Sequence, residues 1–200
     1  MRCIRLATRA ALSTVGALLL GLPAARAGDV FDFVPPGGRT LLTRTLESRP
    51  PEAEARALLT GKRTREEWLD HLRARGKAVP ALRQLTDREL LTLADYLSFN
   101  MPLPAEKVPA SLAAASWEKV LPRDGRDLVL DTCQSCHIIT VVVTQDRTRE
   151  AWLGTLSKPS HVEIKLNRQQ REALVGYLVL NAAIPIDLVP EELRAGGATY

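Results

Sequence analysis

The chain reads as an all-α protein made of two tandem three-helix units, and three features of the sequence predict this. The first is an internal repeat. Arg63-Thr64-Arg65-Glu66-Glu67-Trp68-Leu69 recurs as Arg147-Thr148-Arg149-Glu150-Ala151-Trp152-Leu153, identical at six of seven positions and displaced by 84 residues. Tyr96-Leu97-Ser98-Phe99-Asn100 returns as Tyr177-Leu178-Val179-Leu180-Asn181 at a displacement of 81, and Gly38-Arg39-Thr40-Leu41 as Gly125-Arg126-Asp127-Leu128 at 87. The displacement drifts by three at each loop, as it does when insertions fall between helices. The second feature is helix punctuation: Thr64 with Glu67, Thr86 with Glu89 and Asn167 with Gln170 have capping-box spacing. The third is an aromatic content of 4%, which suits small helical units better than a β-sandwich.

Taken in order, the first unit (28–110) is expected to hold helices near 38–48, 64–74 and 87–99. The second (111–200) is expected to hold them near 124–136, 148–157 and 168–180. Leu90, Leu93, Ala94 and Leu97 give the first unit's last helix an apolar stripe, and Ala173, Leu174, Tyr177 and Leu178 do the same in the second. Proline-rich stretches at 101–109 and 184–190 close the units. A short connecting helix over 112–121 joins them, and Gly196-Gly197 marks 191–200 as a frayed tail.

Residues 1–27 stand apart. Met1 to Arg9 carries Arg2, Arg5 and Arg9 with no acid, Ala10 to Leu22 is apolar, and Ala25-Arg26-Ala27 is a small-x-small cleavage site. The apolar run is too short to span a bilayer, so the segment reads as a secretory signal peptide cut after Ala27. The mature protein is expected in the periplasm with no membrane span. The whole chain has 27 basic and 23 acidic residues; the leader takes four arginines and no acid, leaving 23 of each. A formally neutral mature chain gives a nucleic-acid partner no electrostatic support. Cys3 leaves with the leader, and the remaining pair, Cys133 and Cys136, belongs to the motif that follows, so no structural disulfide is expected.

That motif is Asp131-Thr132-Cys133-Gln134-Ser135-Cys136-His137. Two cysteines three apart with a histidine directly after the second form the attachment signature of c-type haem. One turn of helix presents both thiols to the two porphyrin vinyl groups, and the next residue swings its imidazole under the iron. Cys133 and Cys136 would carry the thioether bonds and His137 would be the proximal ligand. A CxxC redox pair and half of a zinc site are the competing readings. Neither uses the adjacent histidine, and no second cysteine pair completes a zinc shell. Export agrees with the motif, because c-type haem is attached outside the cytoplasm. Extending the repeat sets Arg44-Thr45-Leu46-Glu47-Ser48-Arg49-Pro50 against 131–137, which puts Leu46, Arg49 and Pro50 where the cysteines and histidine stand. The first unit therefore cannot attach a haem there, and its pocket is expected to be filled or closed. One covalent haem c per chain follows.

A CxxCH helix, an Arg-x-x-Trp helix and a closing helix with Tyr-Leu-x-x-Asn together resemble the small periplasmic cytochrome c fold. The closest resemblance is to the haem domains serving sulfite dehydrogenases and quinohaemoprotein amine dehydrogenases, the second of which also uses tandem cytochrome units. The resemblance covers 124–183 well and 38–104 as a degenerate copy. It implies a distal Met in a Lys-Met pair soon after the Trp helix, where this chain has Lys158-Pro159-Ser160-His161. Proline has no ligand atom, and no Met follows the haem motif. Three candidates remain for the sixth ligand: His161, in a loop past the lost Met; Met101, the one Met of the mature chain, which would reach across a domain interface; and Lys158 or an open, water-bound iron.

Trp152 is expected to pack near the porphyrin and Trp68 in the first unit's core. His71 is expected on the surface, and Arg147 and Arg149 either offset propionate charge or line a solvated helix start. No acid, base or nucleophile constellation stands out. The expectation is a mono-haem electron-transfer protein or subunit rather than a stand-alone enzyme. It would exchange single electrons with a redox protein partner such as a periplasmic dehydrogenase or another cytochrome. The missing Met motivates an alternative: a haem-based sensor or small haem enzyme with an exchangeable distal ligand.

Overall fold

Each capping box predicted above starts a helix. The computed structural model describes residues 29–194, so the leader and the paired glycines of the tail lie outside the described residues. Among the described residues all regular structure is helical: α1 (Gly38–Glu47), α2 (Glu52–Thr60), α3 (Arg65–Arg75), α4 (Pro80–Arg83), α5 (Asp87–Asn100), α6 (Trp117–Val120), α7 (Gly125–Thr132), α8 (Thr140–Val143), α9 (Arg149–Leu156), α10 (Pro159–Val162) and α11 (Arg168–Asn181). Thr64, Thr86 and Asn167 accept the backbone N–H of Glu67, Glu89 and Gln170, whose side chains accept the cap's own N–H in return. Asp124 and Asp127 form a further box at α7 that the sequence reading missed.

Several boundaries differ from expectation. The helix expected over 124–136 ends at Thr132 and tightens into a 3₁₀ turn over Cys133–Ser135. The connecting helix expected over 112–121 is a 3₁₀ turn at Leu112–Ala114 and then α6, broken by the extended Ser116 between them. The loop expected around His161 is the short helix α10, which like α4 starts with proline at its first position, where a missing N–H costs nothing. The tail is ordered at least through Arg194: Glu191–Leu193 form a 3₁₀ turn, Thr140 Oγ1 donates to the Leu193 carbonyl at 2.6 Å, and Arg194 Nε donates to that of Val189 at 2.9 Å.

The apolar side chains gather in two clusters. Leu41, Leu59, Trp68, Leu72, Leu93 and Leu97 are fully buried in one, built by α1–α5. Leu128, Val129, Trp152, Leu174 and Val175 anchor the other, built by α7–α11. Helices α5 and α11 pack on each other and join the two. Packing does not divide at 110/111. Val34, ahead of α1, is buried in the second cluster, while Trp117 and Leu121, ahead of α7, are buried in the first. The phenols follow the same exchange: Tyr96 Oη donates to the Pro122 carbonyl at 2.8 Å and Tyr177 Oη to that of Pro35 at 2.5 Å.

At the centre of this junction one carboxylate caps two helices. Asp124 Oδ1 accepts the Asp127 N–H at 2.9 Å, and Oδ2 accepts the Arg39 N–H of α1 at 2.7 Å. Gly37, the cap residue of α1, offers no side chain, and a Cβ there would strike the Asp124 carboxylate. Burial first, and then the neighbouring Asp127 charge, push the Asp124 pKa up to about 6.

Candidate cofactor site

Beside the second cluster lies a cavity of about 490 Å³, within the range of about 300–1,000 Å³ that suits a cofactor-sized ligand. It is built from three directions. The 3₁₀ turn after α7 supplies Cys133, Cys136 and His137; α9 supplies Trp152, Thr155 and Leu156; α11 supplies Leu174 and Leu178. α10 contributes Ser160 and His161, with Lys158 at its cap. The turn is tight because the Cys136 and His137 N–H groups both return to the Cys133 carbonyl, at 3.3 and 3.0 Å. That closure sets the two thiols and the imidazole on one short arc.

The two histidine rings lie near-parallel at the cavity. Their ring centres are 6.0 Å apart, and the planes differ by 18°. An imidazole nitrogen bonds a divalent first-row metal at about 2 Å, so two rings in trans need roughly 6 Å between centres. The His161 Nδ1 lies 3.1 Å from Ser160 Oγ, which leaves Nε2 for the cavity.

The polar groups of the wall also fit a ligand with an apolar body and anionic edges. Trp152 Nε1 is buried without a hydrogen-bond partner. The Arg147 guanidinium lies 5.2 Å from the Trp152 ring centre and donates to Thr155 Oγ1 at 2.9 Å. Arg149, which the sequence coupled with Arg147, turns away to pair with Glu172. Burial, and less strongly the neighbouring Cys136, push the Cys133 thiol up to about 11. A lowered pKa is what activates an exchange nucleophile, so the shift at Cys133 gives no support to a thiol-exchange role for that residue.

Seven residues singled out in the sequence therefore meet at one cavity: Cys133, Cys136, His137, Arg147, Trp152, Lys158 and His161. Met101 is not among them. It follows α5 and is buried in the first cluster. In the first half, α4 and α10 correspond through their leading prolines, so Leu82 stands where His161 does, as Pro50 stands for His137. Leu82 and Val79 are each 1% exposed and fill that space. A cleft of about 360 Å³ lies beside Leu46, Arg49 and Pro50, but neither Leu82 nor Trp68 lines it. Trp68 Nε1 is unpartnered like its counterpart, next to Arg63 and His71. His71 is partly exposed, as expected, and burial with the Arg63 and Arg75 charges lowers its pKa.

Sequence reasoning missed the bond between Arg147 and Thr155 and the role of Ser160, since short polar side chains in turns carry no signal of their own. No helix among the described residues is long and apolar enough to cross a membrane. No family model, characterised protein or solved structure matches this chain, so the site's own residues carry the functional reading.

Proposed function

We propose that the chain is a periplasmic mono-haem c-type cytochrome that passes single electrons to or from a redox protein such as a dehydrogenase. It would consist of two copies of one cytochrome c-like unit, the second carrying the haem and the first without one. A single observation carries the reading: two imidazoles with ring centres 6.0 Å apart line one largely apolar cavity together with both cysteines.

An iron porphyrin bound there supplies reversible one-electron chemistry. Cys133 and Cys136 hold it covalently from the turn after α7. His137 and His161 would supply its two nitrogen ligands, a pair that lowers the potential relative to His/Met. Trp152 and Arg147 offer donors and positive charge to anionic edge groups. Leu174, Leu178 and Leu156 exclude water and so keep the surrounding dielectric low. Cys136 and Ile138 are exposed beside the attachment turn, which leaves that edge open to a protein partner.

The sensor reading draws on a different observation, the four-residue length of α10 and the exposure of Val162 next to His161. One experiment separates the two. The mature protein, made with a haem-attachment system, should gain the mass of one macrocycle and keep its haem through denaturing electrophoresis. Its spectrum should be low-spin in both redox states and unmoved by carbon monoxide, and His161→Ala should turn it high-spin. A mature chain with no added mass rules out the haem reading. A wild type that binds carbon monoxide readily favours the sensor.

A further inference from the structure

The segment that carries His161 has little apolar anchorage. Between α9 and α11, Lys158, Ser160, Val162, Glu163 and Lys165 are exposed. What ties it down is Arg171, in the opening turns of α11. Its Nε donates to the Leu166 carbonyl at 3.3 Å, Nη1 to that of Leu156 at 3.0 Å, and Nη2 to those of Val162 and Ile164 at 3.2 and 3.0 Å. The four acceptors bracket His161 on both sides. Arg171 makes no ion pair among the described residues. Nor does it line the cavity.

The first half solves the same problem differently. Four residues past its cap residue Thr86, α5 carries Leu90, where α11 carries Arg171 four past Asn167. Leu90 is buried in one cluster with Val79 and Leu82, so apolar side chains hold that segment from inside. Such an anchor would fill a cavity that has to stay open. A guanidinium grips the backbone from outside: its planar fork of five N–H donors can span four carbonyls, which the single ammonium of a lysine cannot. Three positions thus differ together between the halves: Pro50 against His137, Leu82 against His161, and Leu90 against Arg171.

We propose that Arg171 is a positioning residue for His161. By fixing the carbonyls on either side, it holds the distal imidazole opposite His137 and keeps α10 from swinging into the cavity or out to solvent. The proposal rests on the reading of His161 as the sixth ligand.

The test compares haem-loaded, full-length mature wild type with Arg171→Lys, Arg171→Leu and His161→Ala. Wild type should leave carbon monoxide unbound over the minutes of a spectral titration and take it up, if at all, only on much longer incubation. Both Arg171 variants should bind it about tenfold faster or more, as hydrogen bonds holding the segment are lost. Their haem content should be unchanged, with rates moving toward that of His161→Ala. A purely structural role would lower the melting temperature and leave that rate alone, which overturns the proposal. Fast binding by His161→Ala with unchanged Arg171 variants removes Arg171 and keeps the ligand. A His161→Ala spectrum identical to wild type removes both. Wild type provides a check that needs no variant to fold: the Arg171 Nε–H should exchange with solvent about a hundredfold more slowly than that of the exposed Arg44. Equal exchange overturns the proposal.

Discussion

Asp124 is 2% exposed, yet it serves as the acceptor for the first turns of both α1 and α7. Its pKa of about 6 lies above the unfolded value of 3.8. Between those values the folded state binds a proton that the unfolded state does not, so stability falls as pH rises from about 4 to 6 and levels off beyond. The groups facing it are Asp127 on its own helix and Arg39 on the partner helix, with Tyr96 near by. Asp124→Asn keeps an acceptor and removes the titration. Relative to that variant, wild type should lose on the order of 2 kcal/mol of stability from pH 4 to pH 6.5, measured by chemical denaturation. A difference that stays flat across this range would contradict the burial argument. At the same scale, His161 was legible because Pro159 occupies the place of an expected ligand. Arg171 was not, since its role is defined by four carbonyls that come together only in the folded chain.

Among helices, side-chain punctuation marked the start most clearly, although α1 was also placed correctly with no side-chain cap bond. α3, α5 and α11 begin within a residue of expectation because Thr64, Thr86 and Asn167 make the local bonds their spacing promises. α2, α4, α8 and α10 lack any side-chain cap bond. They are nine residues long or shorter, below the length at which intrinsic propensity sustains a helix, and tertiary packing decides them. Glycines separate helix contact from helix propensity. Gly125, at the start of α7, lies against Tyr177 Cβ of α11 with no room for a methyl group. Gly154, inside α9, has nothing within 4 Å of the position a Cβ would take. Gly125→Ala should cost about 1–3 kcal/mol through forced separation of α7 and α11. Gly154→Ala should gain about 0.5–1 kcal/mol from helix propensity alone. Thermal melts of the two variants should move in opposite directions.

For the molecule as a whole, the two halves should respond differently to loss of the ligand. In the first, Leu82, Val79 and Trp68 are buried and the cleft beside Leu46, Arg49 and Pro50 measures about 360 Å³. The second surrounds about 490 Å³ with mostly apolar walls. Water filling that space would meet mostly apolar side chains, so the second half should be less stable without a ligand than with one. In unloaded protein the amides of α9–α11 should exchange with solvent much faster than those of α3 and α5, and haem attachment should restore them. Equal protection in unloaded protein would mean that the second half needs no ligand to fold. The helical class was visible in the sequence, as was the grouping of Cys133, Cys136 and His137 on one short turn. The crossing of chain segments at the junction was not, because the displaced copies read as neighbours in order and give no sign of which core each segment enters.

That crossing bears on where the protein can be divided. Val34 lodges in the far core, Trp117 and Leu121 in the near one, and each closing tyrosine is moored to a proline that introduces the opposite half. A cut at residue 110 would leave each fragment bearing a piece that belongs inside its sister. Rather than liberating two small proteins, the cut would leave two pieces clasped through the segments they exchange, so the repeat visible in the sequence does not mark a seam.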